Sequence, residues 1–129
     1  MKIATLIARI ALGLVFVVFG LNGFLQFIPQ PPTMPEAVVS FMGGLAATRY
    51  LLPLLFATQI VGGALLLAGL VPLALVILAP IIVNIVALHI FVAPDGLPIA
   101  IVVAALAVFL AWRHRDSYRP LFVPSGSGE

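Results

Sequence analysis

Long runs of apolar residues, separated by short breaks rich in proline and glycine, dominate the chain. A hydrocarbon layer of about 30 Å takes roughly 20 helical residues to cross. Four runs approach or exceed that length, at residues 3–28, 50–70, 71–93 and 97–112. The breaks are the PQPP sequence at residues 29–32, Gly69 with Pro72, and Pro94-Asp95-Gly96. Because proline and glycine interrupt helices, the pattern predicts four transmembrane helices.

The segment between the first two spans has a different pattern. Thr33 and Glu36 fit the S/T-x-x-E capping box, which predicts the start of a helix. Apolar residues then recur at helical spacing, namely Val38, Phe41, Met42 and Leu45. Residues 34–47 are too few to cross a bilayer, so we expect an amphipathic helix along the membrane interface. An irregular apolar loop is the alternative.

Composition places the chain in lipid. Of its 129 residues, 64% are hydrophobic and 8% are charged, whereas a soluble domain is about half apolar and about a quarter charged. The predicted fold class is therefore all-α, a transmembrane four-helix bundle with a short interfacial helix between spans one and two. We expect one domain at residues 1–121 and a flexible tail at residues 122–129.

The basic residues predict an orientation. Lys2 and Arg9 precede or open the first span, three arginines follow the fourth, and only Arg49 lies on the other side of the membrane. The positive-inside rule then places both termini in the cytoplasm, which suits a bacterial inner membrane. The net charge of only +2 argues against nucleic acid as a partner.

The chain carries little chemistry of its own. It has no cysteine, so disulfides, thiolate metal sites and thiol redox relays are excluded. His89 and His114 are predicted at opposite membrane faces and cannot share a metal ion. No acid pair, phosphate-binding loop or dinucleotide fingerprint is present. We therefore expect no metal site, and no catalysis by this protein alone.

A few polar residues lie inside the predicted spans. By helical rise, Gln59 and Asn84 lie near the membrane midplane, and Asn22, Gln26 and His89 lie closer to the outer boundary. Since unpaired polar groups are unfavourable in lipid, we expect Asn22, Gln59, Asn84 and His89 to point inward and toward one another, with Gln26 at the outer end of the set. Two interpretations stay open. They form either interhelical hydrogen bonds or an outward-half pocket for a ligand, in which His89 is able to exchange a proton near neutral pH.

Several stretches resemble one known family. These are ARIALGLVFVVFGLNGF, YLLPLL followed by QIVGGALLL, and APIIVNIVALHIFVAPDG. Together with the proline-rich break they look like the DoxX family of small four-span membrane proteins, over residues 3–121. The distinctive positions are Asn22-Gly23, Gly62-Gly63, and Asn84 with His89.

The resemblance implies a membrane subunit associated with redox complexes, since the wider group includes components described as thiosulfate:quinone oxidoreductase subunits. A thiol-based redox step would need cysteines from a protein partner. We therefore expect a subunit whose polar pocket takes a quinone or a lipid. The alternative is a scaffold or assembly chaperone that contacts protein partners, or copies of itself, through its helices.

Overall fold

The computed structural model describes residues 2–29 and 33–126, and within these ranges the secondary structure is helical. The helices are α1 (Lys2–Leu25), α2 (Glu36–Ala47), α3 (Leu51–Ala68), α4 (Val71–Phe91), α5 (Leu97–Arg113) and α6 (Arg115–Tyr118). Two short 3₁₀ helices, Pro94–Gly96 and Arg119–Phe122, precede α5 and follow α6. The predicted all-α fold class is confirmed.

Four helices form a closed bundle. The most extensive packing is between α1 and α3. In addition, α3 packs against α4, α4 packs against α5, and α5 packs against α1. The bundle thus has one end where α1 begins and α5 finishes, the terminal end, and an opposite end, the loop end. These four helices, with the 3₁₀ turn added to α5, are long and apolar enough to cross a membrane. Short α2 packs beside α3.

The surface of the bundle is apolar. The described residues include no buried polar or charged side chain, while large hydrophobic residues such as Val83 and Ile99 are about 70% exposed, at 69% and 71%. The largest of the fully buried side chains are those of Leu12, Leu66, Leu78 and Leu110. A protein that turns aliphatic side chains outward from all of its long helices is adapted to lipid, where backbone groups must be satisfied within helices.

Helix ends differ from the predicted ones where local backbone chemistry intervenes. α1 ends at Leu25, three residues earlier than predicted, because Gln26 takes a left-handed conformation with φ +52°. The predicted capping box is wrong: Pro35 is the N-cap of α2 and no side chain caps the helix. Proline disfavours helical geometry in the residue that precedes it. Met34 is therefore not helical, and α2 cannot extend back to Thr33.

The other breaks follow the sequence more closely. Gly69 ends α3 with φ +93°, and the Leu70 N–H donates to the carbonyl of Leu65 at 2.9 Å, a glycine-based helix end. Residues 30–32 of the predicted proline break, and residues 127–129 of the predicted tail, lie outside the described residues.

Candidate functional site

Two of the five predicted polar residues line one cavity. Gln59 of α3 and Asn84 of α4 face a space of about 260 Å³, whose other lining includes Phe41, Met42 and Leu45 of α2. We call it the amide cavity. The helix predicted to lie along the interface therefore supplies apolar residues beside both amides. Sequence spacing identified these three residues as one helix face but did not indicate that they lie beside the amides.

The two amides have unused hydrogen-bonding capacity. Within the described part of the chain, no hydrogen bond joins the side chain of Gln59 or Asn84 to another residue. Asn84 is exposed and Gln59 is partly buried. A carboxamide offers two N–H donors and one carbonyl acceptor, and leaving them unpaired away from water is unfavourable by roughly 1–3 kcal/mol each. The site therefore suits a molecule that carries polar atoms.

A second cavity adjoins the first inside the bundle. It has a volume of about 120 Å³ and lies among Phe16, Gln59, Ile85, His89 and Val103. Because Gln59 and Ile85 line both spaces, the polar groups of Asn84, Gln59 and His89 follow one another across the bundle. We call this space the histidine cavity.

His89 is held in one orientation. Its Nδ1–H donates to the carbonyl oxygen of Ile85, one turn earlier in α4, at 2.7 Å. In the neutral ring this leaves Nε2 as a hydrogen-bond acceptor. Gly96 lies directly against the ring, so that a Cβ at that position would overlap with it. The turn before α5 thus closes over the imidazole, and only glycine fits there.

Asn22 and Gln26 line neither cavity. The Oδ1 of Asn22 accepts a hydrogen bond from the Ile28 N–H at 2.7 Å, and Gln26 is exposed at the end of α1. The structure does not bring this pair to the cavities, and Asn22 satisfies a backbone donor beyond the end of α1. This hydrogen bond ties the chain that follows α1 back to the last turn of the helix.

Among the described residues, no group of three His, Cys, Asp or Glu side chains is placed to hold a metal ion. What the arrangement offers is hydrogen bonding within an apolar frame. Amides and one imidazole are able to orient a lipophilic molecule with a polar head, and small-molecule sites commonly combine apolar walls with a few polar groups.

Fold and surface together define the class: an integral membrane protein built as a bundle of four apolar helices, in contact with the lipid bilayer. Comparison of the chain with protein-family models, curated proteins and solved structures found no match. The resemblance to the DoxX family stays a prediction from the sequence.

Proposed function

We propose that the protein is a DoxX-like membrane subunit that binds a small lipophilic molecule, a quinone or a lipid, in the amide cavity. The observation that carries the proposal is that the carboxamides of Gln59 and Asn84, which have no hydrogen-bond partner among the described residues, face one apolar space. The amide N–H groups are donors for a carbonyl or ester oxygen of the ligand. The apolar α2 residues beside them provide a surface for a ring or an acyl chain.

The resemblance supports a link to a redox complex, with soluble or membrane partners supplying the catalytic centres. His89 lines the adjoining histidine cavity, which shares Gln59 with the amide cavity. A quinone head group has two carbonyl oxygens, and each is an acceptor for the amide N–H groups of Gln59 and Asn84. No oxidation or reduction is assigned to this chain's own side chains.

Removal of one amide tests the site, because binding and structural roles predict opposite effects on stability. Asn84→Leu is expected to lower ligand retention by about tenfold, the value of one hydrogen bond of about 1.4 kcal/mol. It should leave the bundle equally or more stable, since an unpaired polar group is replaced by an apolar one. Retention is measured as quinone and lipid extracted per purified protein, and stability as the thermal midpoint in the same detergent.

Thr58→Val is the matched control for a second variant, Gln59→Leu. Thr58 neighbours Gln59 in α3, but its hydroxyl already donates to the Leu54 carbonyl at 2.7 Å. Retention should therefore fall in Gln59→Leu and persist in Thr58→Val. Undiminished retention in both Asn84→Leu and Gln59→Leu would reject the site. Lower stability, by the roughly 0.6–2 kcal/mol of an interhelical hydrogen bond, would favour the scaffold alternative.

We also propose that both termini are cytoplasmic in a bacterial inner membrane, since five of the six basic residues lie at the terminal end. Reporter fusions after Leu70 and at the C-terminus are expected to give cytoplasmic signals, and a fusion at Gly96 a periplasmic one. A periplasmic signal from the C-terminal fusion would contradict this orientation.

A further inference from the structure

A basic cavity lies at the terminal end, far from the amide cavity. It has a volume of about 270 Å³, and its lining includes Lys2, Thr5, Arg9, Gly69, Arg113 and His114. These residues come from the first two turns of α1, the turn between α3 and α4, and the end of α5. Lys2, Thr5 and Arg9 follow the i, i+3, i+7 spacing of one helix face, a signal visible in the sequence that the predicted pocket did not use.

The positive charge in this cavity lacks a counter-charge among the described residues. The residues lining it include three cationic side chains, Lys2, Arg9 and Arg113, and no acidic one. Asp116, the acid nearest to this end in sequence, pairs instead with Arg119 at 3.1 Å, on a surface where both side chains are more than 70% exposed (78% and 73%). Like charges gathered at a helix junction repel one another, so the arrangement favours a bound anion.

Arg9 and Arg113 are partly buried rather than extended into solvent. The Nε of Arg9 is buried and has no hydrogen-bond partner within the described residues, and one terminal nitrogen of Arg9 lies close to Gly69. The Nε–H of Arg113 donates to the Thr5 hydroxyl at 3.1 Å. The Nδ1–H of His114 donates to the Leu110 carbonyl at 3.0 Å. Two guanidinium groups thus lie beside one space, and that of Arg113 is oriented by a hydrogen bond.

We infer that the basic cavity binds a phosphate group, as carried by an anionic phospholipid. Guanidinium forks match the oxygen geometry of phosphate and bind it through charge-assisted hydrogen bonds. Lys2 is the first residue of α1 and Arg113 is the last of α5, so the cavity lies at the level where helices leave the hydrocarbon and lipid phosphates lie. Basic pockets between transmembrane helices bind anionic head groups in this position.

The test is a titration of the purified full-length protein in detergent micelles, followed by thermal unfolding. One arm adds phosphatidylglycerol, a second adds zwitterionic phosphatidylcholine, and a third adds inorganic phosphate. Phosphatidylglycerol is expected to raise the unfolding midpoint at lower concentrations than phosphatidylcholine. An equal response to inorganic phosphate would assign the same site to a soluble phosphate compound instead.

Arg9→Gln and Arg113→Gln are expected to raise the half-saturating concentration of phosphatidylglycerol by about tenfold or more, since each removes a charge-assisted hydrogen bond. Arg115→Gln is the matched control: it removes the same charge at the same end, from an exposed side chain that donates to the Trp112 carbonyl. If Arg9→Gln fails to fold, Arg113→Gln on another helix gives the same comparison.

Two results would overturn the inference. One is a wild-type protein that is stabilised neither by phosphatidylglycerol above phosphatidylcholine nor by inorganic phosphate. The other is an equal weakening by Arg115→Gln and the cavity variants, which would mean that diffuse surface charge attracts the lipid.

Discussion

Gly63→Ala is expected to destabilise the bundle by about 1–3 kcal/mol, the usual range for overpacking. A Cβ at position 63 would lie 2.7 Å from the carbonyl oxygen of Gly13 and 2.8 Å from the backbone nitrogen of Val17. Backbone atoms cannot rotate away as side chains do, so α1 and α3 would have to separate. This helix pair has the largest interface in the fold, and close approach through small residues is what holds membrane helices together.

Gly44→Ala is the matched control for that substitution. Gly44 also lies inside a helix, α2, but a Cβ there meets no other atom within 4 Å. Because alanine favours a helix over glycine by about 1 kcal/mol, this variant should be as stable as the wild type or more so. Unfolding of both variants is followed by circular dichroism in one detergent. Equal stability of Gly63→Ala and the wild type would contradict the close approach of α1 and α3.

Leu78→Ala and Gly62→Ala are expected to be coupled across the α3–α4 interface. Leu78 is fully buried, and a Cβ at position 62 would lie 2.5 Å from its Cγ. Each single variant should be less stable than the wild type, because Leu78→Ala leaves a cavity and Gly62→Ala overpacks the interface. The loss for Leu78→Ala should fall below the roughly 2–5 kcal/mol seen in water-soluble cores, because the separated helix also places leucine in an apolar solvent.

The double variant should recover part of the loss, since the new methyl group at position 62 enters the space that the leucine leaves. Contacting residues typically show coupling of roughly 0.5–3 kcal/mol. Leu73→Ala is the control on the same helix, because its side chain is 53% exposed and its removal opens no cavity between helices. Strictly additive losses in the double variant would show that the two residues do not meet.

The number and type of the long helices could be predicted from sequence because hydrophobic length is a strong signal. Positions of glycine and proline also marked the turns, as Gly69 shows by taking φ +93° at the end of α3. The start of α2 was misplaced because a capping box describes side-chain chemistry alone. It ignores the restriction that Pro35 imposes on the residue before it.

The candidate site was less predictable than the fold. Depth along each span placed Gln59 and Asn84 at similar levels, and both line the amide cavity. Depth carries no information about rotation around a helix axis, however, and spans of low amphipathicity give no face from which to infer it. Asn22 was predicted at a depth similar to that of His89, yet its side chain accepts a hydrogen bond from the backbone N–H of Ile28. Phe41, Met42 and Leu45 line the amide cavity because α2 packs against α3. No local sequence pattern predicts such a tertiary contact.

The pairing of α1 with α3 has a consequence for how the chain is made. Gly13 of α1 lies against Gly63 of α3, which follows it in the chain by fifty residues. At a synthesis rate of about 5–20 residues per second, roughly 3–10 seconds separate the emergence of the two faces from the ribosome. During that interval α1 has only lipid, translocon or chaperone against its exposed backbone. Closure of this interface therefore has to wait for α3 and cannot begin while only α1 and α2 have been synthesised.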